Sequence, residues 1–299
     1  MFEKIIGNKS CKDILEKAIL NNSVSHSYMF VGPQGIGKKL IATDFAKAIL
    51  CLGENKYCNS CKSCIEFNGD NHPDFKIIKP DGNSIKIEQI RELQERIVEK
   101  PIISNHKVYI IDNADTMTVE AQNCLLKTLE EPPEFAIIIL IGSNENSFLV
   151  TIKSRCMILK FQRIVDGELK KYLEQNEGFS DITKSMLELF QGSIGKAINL
   201  KDKVDEYKVL EEFINEINKK DIIDLIKKID ILYNSKDNVI EMLEYMNVLL
   251  LKKQEEDYRY LNCIEIIEDT KNRIRRNSNY DMSIDNMIFN MWEEFNWKI

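Results

Sequence analysis

The fold is decided by the stretch HSYMFVGPQGIGKK at residues 26–39, where an apolar run passes directly into a glycine-rich loop. The loop contains Gly32, Gly35, Gly37 and Lys38, and so matches the G-x-x-x-x-G-K core of a Walker A motif. Glycines let backbone N–H groups turn inward around phosphate oxygens, and the N-terminus of the following helix points at the same oxygens. Lys38 would reach the terminal phosphates. The stretch therefore predicts a P-loop between a buried strand and a helix.

The last position of this motif departs from the pattern of active P-loops. Ser or Thr normally stands there, because its hydroxyl binds the Mg²⁺ ion that accompanies the nucleotide. Here the residue is Lys39, which offers no oxygen and whose ammonium would repel the metal ion. Since Lys38 and the glycines remain, binding of ATP or ADP is possible but is expected to be weak.

A second buried strand is predicted at residues 107–111 (KVYII), and it ends in Asp112. This carboxylate is placed to help hold Mg²⁺, although it could also do no more than cap its strand. Active ATPases of this type carry a Glu at the next position, where it orients the attacking water. Here the residue is Asn113, which cannot act as a base. Because both the hydroxyl and the catalytic carboxylate are missing, we predict that this site does not hydrolyse ATP.

Four of the eight cysteines fall within a short segment with C-x6-C-x2-C-x2-C spacing: Cys51, Cys58, Cys61 and Cys64. In a reducing compartment such clustering is typical of metal binding rather than of disulfides. Four thiolates can close a tetrahedral zinc site without leaving a position for water, which predicts a structural zinc ion. An iron–sulfur cluster and four unrelated reduced cysteines are the alternatives.

The other cysteines and the three histidines give weaker signals. The remaining cysteines lie on apolar segments and are predicted to be ordinary core residues: Cys11, Cys124, Cys156 and Cys263. The histidines are isolated in the sequence, and we interpret them as structural or solvated: His26, His72 and His106. His72 lies near the cysteine segment, but four cysteines already fill a zinc site.

Strand and helix patterns alternate through the first half of the chain. Apolar runs predict strands at 26–31, 74–79, 107–111, 136–142 and 157–161, and helical spacing predicts helices at 10–21, after Lys38, at 87–99 and at 118–130. This alternation predicts an α/β fold with a parallel sheet covered on both faces. From about residue 166 helical patterns replace the strands, for example at 206–218, 221–233, 238–252 and 258–275.

The charge of the chain limits how it could contact nucleic acid. The net charge is −7 over 299 residues, and residues 201–299 carry 16 Lys/Arg against 22 Asp/Glu. A protein that grips DNA alone usually has a basic surplus, so any DNA contact is expected to be local or shared with partners. The sequence shows neither an apolar run long enough to span a membrane nor a secretory signal, and a cytoplasmic location is expected.

Taken together, these motifs resemble the delta-prime subunits of bacterial clamp loaders, which are AAA+ proteins. The resemblance is carried by the P-loop, the four-cysteine insert after it, AQN at 121–123, LLK at 125–127, LEEPP at 129–133, Ser143-Asn144, Ser154-Arg155-Cys156 and GSIGKA at 192–197. It is strong over residues 1–200 and rests mainly on helical content beyond them.

The resemblance implies a division of the chain into three parts. Residues 1–165 would form the AAA+ domain with its zinc knuckle at 51–64, residues 166–204 a helical lid, and residues 205–299 a helical collar. Asn144 would stand at the sensor 1 position and Lys196 at the sensor 2 position, where Arg is commoner. Such subunits form a ring with gamma/tau and delta subunits, which opens the sliding clamp and places it on primer–template DNA. Arg155 would act in trans, on the γ-phosphate of a neighbour's ATP.

Two other functions have to be weighed against a non-hydrolysing scaffold subunit. A catalytically active gamma/tau-like ATPase would need substitutes for the hydroxyl lost at Lys39 and the carboxylate lost at Asn113, and the sequence offers neither. A zinc-dependent DNA-binding module would need basic charge around the cysteines. The acidic residues Glu54, Glu66 and Asp70 offset Lys56 and Lys62 in that segment.

Overall fold

The structure, a computed structural model, describes residues 1–2, 5–54, 56–180, 182–255 and 257–296. The chain divides into two compact units. The first consists of Met1–Tyr172 together with Gly192–Gly195, and the second consists of Leu173–Gln191 and the chain from Lys196 onward. The three-part division into AAA+ domain, lid and collar stays a prediction.

The first unit is built on a five-stranded parallel sheet. Its strands are β1 (Ser27–Val31), β2 (Phe75–Ile78), β3 (Lys107–Ile111), β4 (Ala136–Gly142) and β5 (Met157–Lys160), in the spatial order β2-β3-β4-β1-β5. Every residue of β1, β3 and β4 is buried, as expected for central strands of a sheet covered on both faces. Since all strands run in parallel, their carboxyl ends meet at one edge, where ligands bind in open α/β sheets.

Helices cover both faces of this sheet. They are α1 (Lys9–Leu20), α2 (Lys38–Leu50), α3 (Lys62–Asn68), α4 (Ile87–Ile97), α5 (Val119–Glu130) and α6 (Val150–Lys153), and α7 (Asp166–Asn176) begins in this unit. Alternate strand residues enter two separate cores: Tyr28 and Phe30 pack with α1 and α2, whereas Met29 and Val31 pack with α4 and α5. This alternation is the two-residue period of a strand. The predicted α/β P-loop fold class, with helices alone after the sheet, is confirmed.

Helix and strand boundaries differ from the sequence expectations by one or two residues at most ends. Thr118 is the N-cap of α5 as predicted, and its hydroxyl accepts a hydrogen bond from the Ala121 N–H at 3.2 Å. Helix α3 was not predicted from the sequence, because its seven residues are too few to show helical periodicity.

The second unit is helical throughout the residues described. Its helices are α8 (Lys184–Phe190), α9 (Ile194–Asn199, which begins in the first unit), α10 (Val204–Glu216), α11 (Ile222–Lys228), α12 (Ile231–Asn234), α13 (Val239–Lys253), α14 (Arg259–Arg275) and α15 (Tyr280–Asn296). The segment 221–233, predicted as one helix, is therefore two. Across the described ranges, no helix is long and apolar enough to cross a membrane.

Candidate functional site

Three polar segments meet at the carboxyl edge of the sheet. The P-loop follows β1, Asp112 follows β3, and Ser143-Asn144 follows β4. The register places Val31 beside Gly142 and Ile111 beside Leu140, so the ends of these strands are adjacent. The sheet topology thus brings together the segments that the sequence predicts to surround a nucleotide.

The P-loop has the backbone geometry that its glycines permit. Gly35 and Gly37 adopt φ angles of +73° and +90°, in the left-handed region that side chains with a Cβ rarely enter. Lys38 is only 6% exposed, and its Nζ donates hydrogen bonds of 2.6 Å to the carbonyl oxygens of Gly32 and Pro33. Burial lowers the pKa of Lys38, and the carboxylates of Asp115 and Asp112 partly oppose this shift. The ammonium that would reach phosphates therefore binds its own loop.

The segment Gly192–Gly195 packs directly against this loop. The Gly195 N–H donates to the Gly35 carbonyl oxygen at 3.0 Å. A Cβ atom at Gly35 would lie 2.1 Å from the Ser193 Oγ, so any larger residue at this position would displace the Ser193 side chain. Lys196, the predicted sensor 2 residue, follows in α9 and belongs to the second unit.

Lys39 forms an ion pair with Asp112, the carboxylate that would help hold Mg²⁺ in an active P-loop ATPase. Its Nζ lies 2.8 Å from the Oδ2 of Asp112, so the ammonium neutralises the carboxylate that would otherwise help hold Mg²⁺. Asn113 follows with φ 51° and ψ 45°, a left-handed conformation that Asn adopts more readily than Glu. The asparagine that stands in place of the catalytic Glu is therefore also well suited to this turn.

Asp115 joins the ends of β3 and β4, a role that sequence reasoning missed. Its Oδ2 accepts hydrogen bonds from the Ser143 N–H at 3.0 Å, the Ser143 hydroxyl at 2.6 Å and the Asn144 N–H at 3.2 Å. The Asn144 Oδ1 in turn accepts from the Asn146 N–H at 2.9 Å. The predicted sensor 1 residue thus lies at the strand end with its side-chain oxygen bonded locally.

Arg155 follows α6 and is anchored by neighbours within its own chain. One Nη lies 2.6 Å from the Oε1 of Glu130. The other donates to the Thr151 carbonyl oxygen at 2.9 Å and to the Ser154 Oγ at 3.3 Å. With a third of its side chain exposed, the guanidinium remains at the surface. Sequence reasoning missed Glu130 as its partner, because the pair is formed between residues distant in the sequence.

The four clustered cysteines converge on one point. The candidate ligand atoms of Cys51, Cys58, Cys61 and Cys64 all lie within 4.8 Å of one another. The Sγ of Cys51 is 3.5 Å from that of Cys58 and 4.0 Å from that of Cys61. Sulfurs about 3.8 Å apart are expected in a tetrahedral site with Zn–S bonds of about 2.3 Å, so the group can hold a metal ion.

Backbone N–H groups lie next to three of the four sulfurs, and hydrogen bonding and burial shift the thiol pKa values in opposite directions. The N–H groups of Cys58, Cys61 and Cys64 point at the Sγ atoms of Cys51, Cys58 and Cys61, over N···S distances of 3.4–3.5 Å. Hydrogen bonds from the backbone and side chain of Ser60 lower the pKa of Cys58 to about 5, whereas burial raises the pKa of Cys64 to about 12. A bound cation would displace the proton of the buried thiol.

The segment that carries Tyr57 and Asn59, on either side of Cys58, is held against α2 by side chains. The Lys47 ammonium donates to the Asn59 Oδ1 at 2.5 Å and lies 4.6 Å from the centre of the Tyr57 ring. The Tyr57 hydroxyl donates to Asp44 at 2.9 Å. His72 uses both ring nitrogens in hydrogen bonds, with Ser63 and with the Asp74 N–H.

A family model and individual relatives of this chain point to the same protein family. The sequence model of the family described as DNA polymerase III, delta subunit, matches residues 7–165, which is more than half of the chain. The delta-prime subunit of DNA polymerase III from Bacillus subtilis is 43% identical over 150 residues, covering 50% of this chain and 46% of that protein. The delta-prime subunit from Pseudomonas aeruginosa is 35% identical over 137 residues, covering 44% and 42%.

A gamma/tau subunit is also similar, over a longer part of the chain. The subunit from Mycoplasma pneumoniae is 33% identical over 214 residues, covering 69% of this chain and 31% of that protein. The matched part of the chain thus spans less than half the length of each of these three relatives. Both the family match and the two delta-prime relatives agree with the motif analysis. This chain therefore belongs to the DNA polymerase III delta subunit family, among clamp-loader subunits of the delta-prime type.

Proposed function

We propose that this protein is a clamp-loader subunit that does not hydrolyse ATP itself and that contributes an arginine to its neighbour's site. The main support for the absence of hydrolysis is the ion pair of Lys39 with Asp112 at 2.8 Å. An ammonium so close to the carboxylate competes with a divalent cation for its oxygens and repels the cation electrostatically. Magnesium neutralises the charge that develops during phosphoryl transfer, so its exclusion removes the main source of catalysis.

The second chemical loss reinforces the first. A carboxamide at Asn113 cannot take a proton from the attacking water. The P-loop itself remains, but a nucleotide phosphate would have to displace the Lys38 ammonium from the carbonyls of Gly32 and Pro33. Weak binding of ATP or ADP without turnover follows from this arrangement. It also disfavours the alternative, an active ATPase of the gamma/tau type.

The role in trans is assigned to Arg155. A guanidinium is always charged and offers two parallel donors to phosphate oxygens, which suits it to stabilising a departing phosphoryl group. In a ring with gamma/tau and delta subunits, Arg155 would face the ATP of an adjacent subunit, after Glu130 had released it. The sliding clamp and primer–template DNA would be engaged through the assembled complex.

Zinc is the metal that best fits the four cysteines. Four thiolates supply a complete tetrahedral set, and two of the residues, Cys51 and Cys64, are buried, so the site is closed to substrates. The metal would therefore act by holding together the segment between α2 and α3.

A steady-state ATPase assay on the isolated chain tests the non-hydrolysing role. We expect no hydrolysis above background with Mg²⁺ present, because Lys39 replaces the metal-binding hydroxyl and Asn113 replaces the base. The single change Lys39→Thr should leave turnover undetectable, since it restores only the magnesium ligand. Lys39→Thr combined with Asn113→Glu restores both groups and is the variant in which turnover is expected.

The control for this assay is Lys38→Ala, which removes the phosphate-binding lysine. Hydrolysis by the unmodified chain that disappears in Lys38→Ala would show an active site and would overturn the proposal. Hydrolysis that persists in Lys38→Ala would instead identify a contaminating ATPase.

A further inference from the structure

A buried polar cluster lies beside the four cysteines and was not recognised in the sequence. It consists of the side chains of Ser63, His72, Asp74 and Ser104 around the carbonyl oxygen of Leu50, and is called the Leu50 cluster below. These four side chains belong to residues that are 1%, 5%, 2% and 8% exposed, respectively. Burying so many polar groups is unfavourable unless each has a partner, so their arrangement requires an explanation.

The hydrogen bonds of the cluster define which atom carries each proton. The Asp74 N–H donates to the Nδ1 of His72 at 3.1 Å, so Nδ1 is unprotonated and the proton lies on Nε2. Nε2 lies 2.9 Å from the Ser63 Oγ and donates to it. The hydroxyls of Ser63 and Ser104 both donate to the Leu50 carbonyl oxygen, at 2.7 and 2.6 Å. Leu50 ends α2, where carbonyls lack a partner within the helix.

Asp74 fixes the loop that supplies Ser104. Its carboxylate accepts hydrogen bonds from the N–H groups of Ile102, Ile103 and Ser104, at 2.7, 2.8 and 2.9 Å. A serine, a histidine and an aspartate in contact also suggest a hydrolase triad. Here the serine proton is committed to a backbone carbonyl, the carboxylate is occupied by backbone amides, and burial keeps substrates out. The cluster is therefore suited to positioning rather than to catalysis.

The position of the cluster along the chain shows what it positions. Leu50 immediately precedes the ligand candidate Cys51, and Ser63 immediately precedes Cys64. The hydroxyl of Ser63 thus ties the residue before Cys64 to the residue before Cys51. His72 and Ser104 orient that connection from two other segments. The two buried cysteines are held by the same network.

We propose that His72, Ser63 and Ser104 are positioning residues of the metal site, which they preorganise by fixing the backbone next to Cys51 and Cys64. The proposal rests on the proposed zinc site. Partners that orient metal ligands from outside the coordination sphere typically contribute 10–100-fold to metal affinity. A ligand pair that is already in place loses less freedom when the ion binds.

The test measures the zinc affinity of the whole chain, under reducing conditions, by competition with a chromophoric chelator. His72→Phe keeps an aromatic ring but removes the donor to Ser63, and we expect its affinity to fall by about 10-fold or more. His72→Gln keeps an N–H donor and should recover part of that loss. Ser104→Ala removes one hydroxyl without altering a ring and should show a smaller loss. Lys62→Ala, an exposed change on α3 next to Ser63, is the matched control and should bind like the unmodified chain.

Cobalt provides a readout that a purely structural role would not move. With Co²⁺ in place of zinc, the thiolate charge-transfer and d–d bands of His72→Phe are expected to shift, because the cysteines are no longer held in the same geometry. Unchanged affinity and spectra in folded His72→Phe and Ser104→Ala would overturn the proposal while leaving the zinc site intact. If the unmodified chain and Cys61→Ser both lack zinc, the zinc site itself is wrong, and this inference falls with it.

Discussion

Replacing Arg155 by alanine is expected to abolish most ATP hydrolysis at the neighbouring site that this chain faces in the assembled clamp loader. Arginines supplied in trans contribute on the order of 10³–10⁵ to the rate in GTPases, because the guanidinium stabilises charge on the departing phosphoryl group. The DNA-stimulated ATPase rate of the whole complex should therefore fall by the fraction of that rate that this one site contributes. Clamp loading should fall further if the ring needs every site to complete its cycle. The isolated chain should fold normally, since Arg155 bonds only surface groups, including Glu130 at 2.6 Å.

The measurement requires reconstitution with gamma/tau and delta subunits, followed by ATPase and loading assays. Arg155→Lys keeps the charge but lacks the planar pair of donors, so it should rescue only part of the activity. Lys153→Ala removes a positive charge two residues away and is the matched control. Unchanged rates for Arg155→Ala, in a complex that assembles normally, would mean that Arg155 is only a surface loop residue.

Replacing Cys61 by serine is expected to remove zinc and to destabilise the first unit. The unmodified chain should contain about one zinc ion per molecule by elemental analysis, because four sulfurs converge within 4.8 Å. In Cys61→Ser the remaining three thiolates hold the ion weakly. We expect the free energy of unfolding of the first unit to fall by about 4 kcal/mol, as for substitutions that remove a structural metal ligand.

A cysteine outside the cluster provides the control for this experiment. The Cys124 Sγ donates to the Gln94 Oε1 at 3.2 Å, and a serine hydroxyl can make the same bond. Cys124→Ser should therefore keep both zinc and stability. Chain purified without chelators and containing no stoichiometric metal would contradict the prediction. Chemical denaturation followed by circular dichroism, with and without added zinc, separates metal loss from a packing defect.

Short stretches of sequence are enough to specify the local elements and the chemistry of this protein. The apolar run before Gly32 and the glycines after it are sufficient for a strand, a P-loop and a helix, because these features depend on neighbouring residues. The spacing of Cys51, Cys58, Cys61 and Cys64 likewise indicates a metal site without any knowledge of the fold. The sequence also shows that the Mg²⁺-binding hydroxyl is missing at Lys39 and that the catalytic carboxylate is missing at Asn113, because the motifs name the residue types that each position needs.

Which distant side chains come into contact depends on how the helices and strands pack. The contact of Lys39 with Asp112 exists because β1 and β3 run parallel and end at the same edge of the sheet. The pairing of Arg155 with Glu130 depends in the same way on two segments that the fold brings together. The Leu50 cluster gathers residues from two loops and two helix ends, and no periodicity in the sequence links them. Local patterns encode propensity and residue chemistry, whereas such contacts depend on how the packed elements are arranged in space.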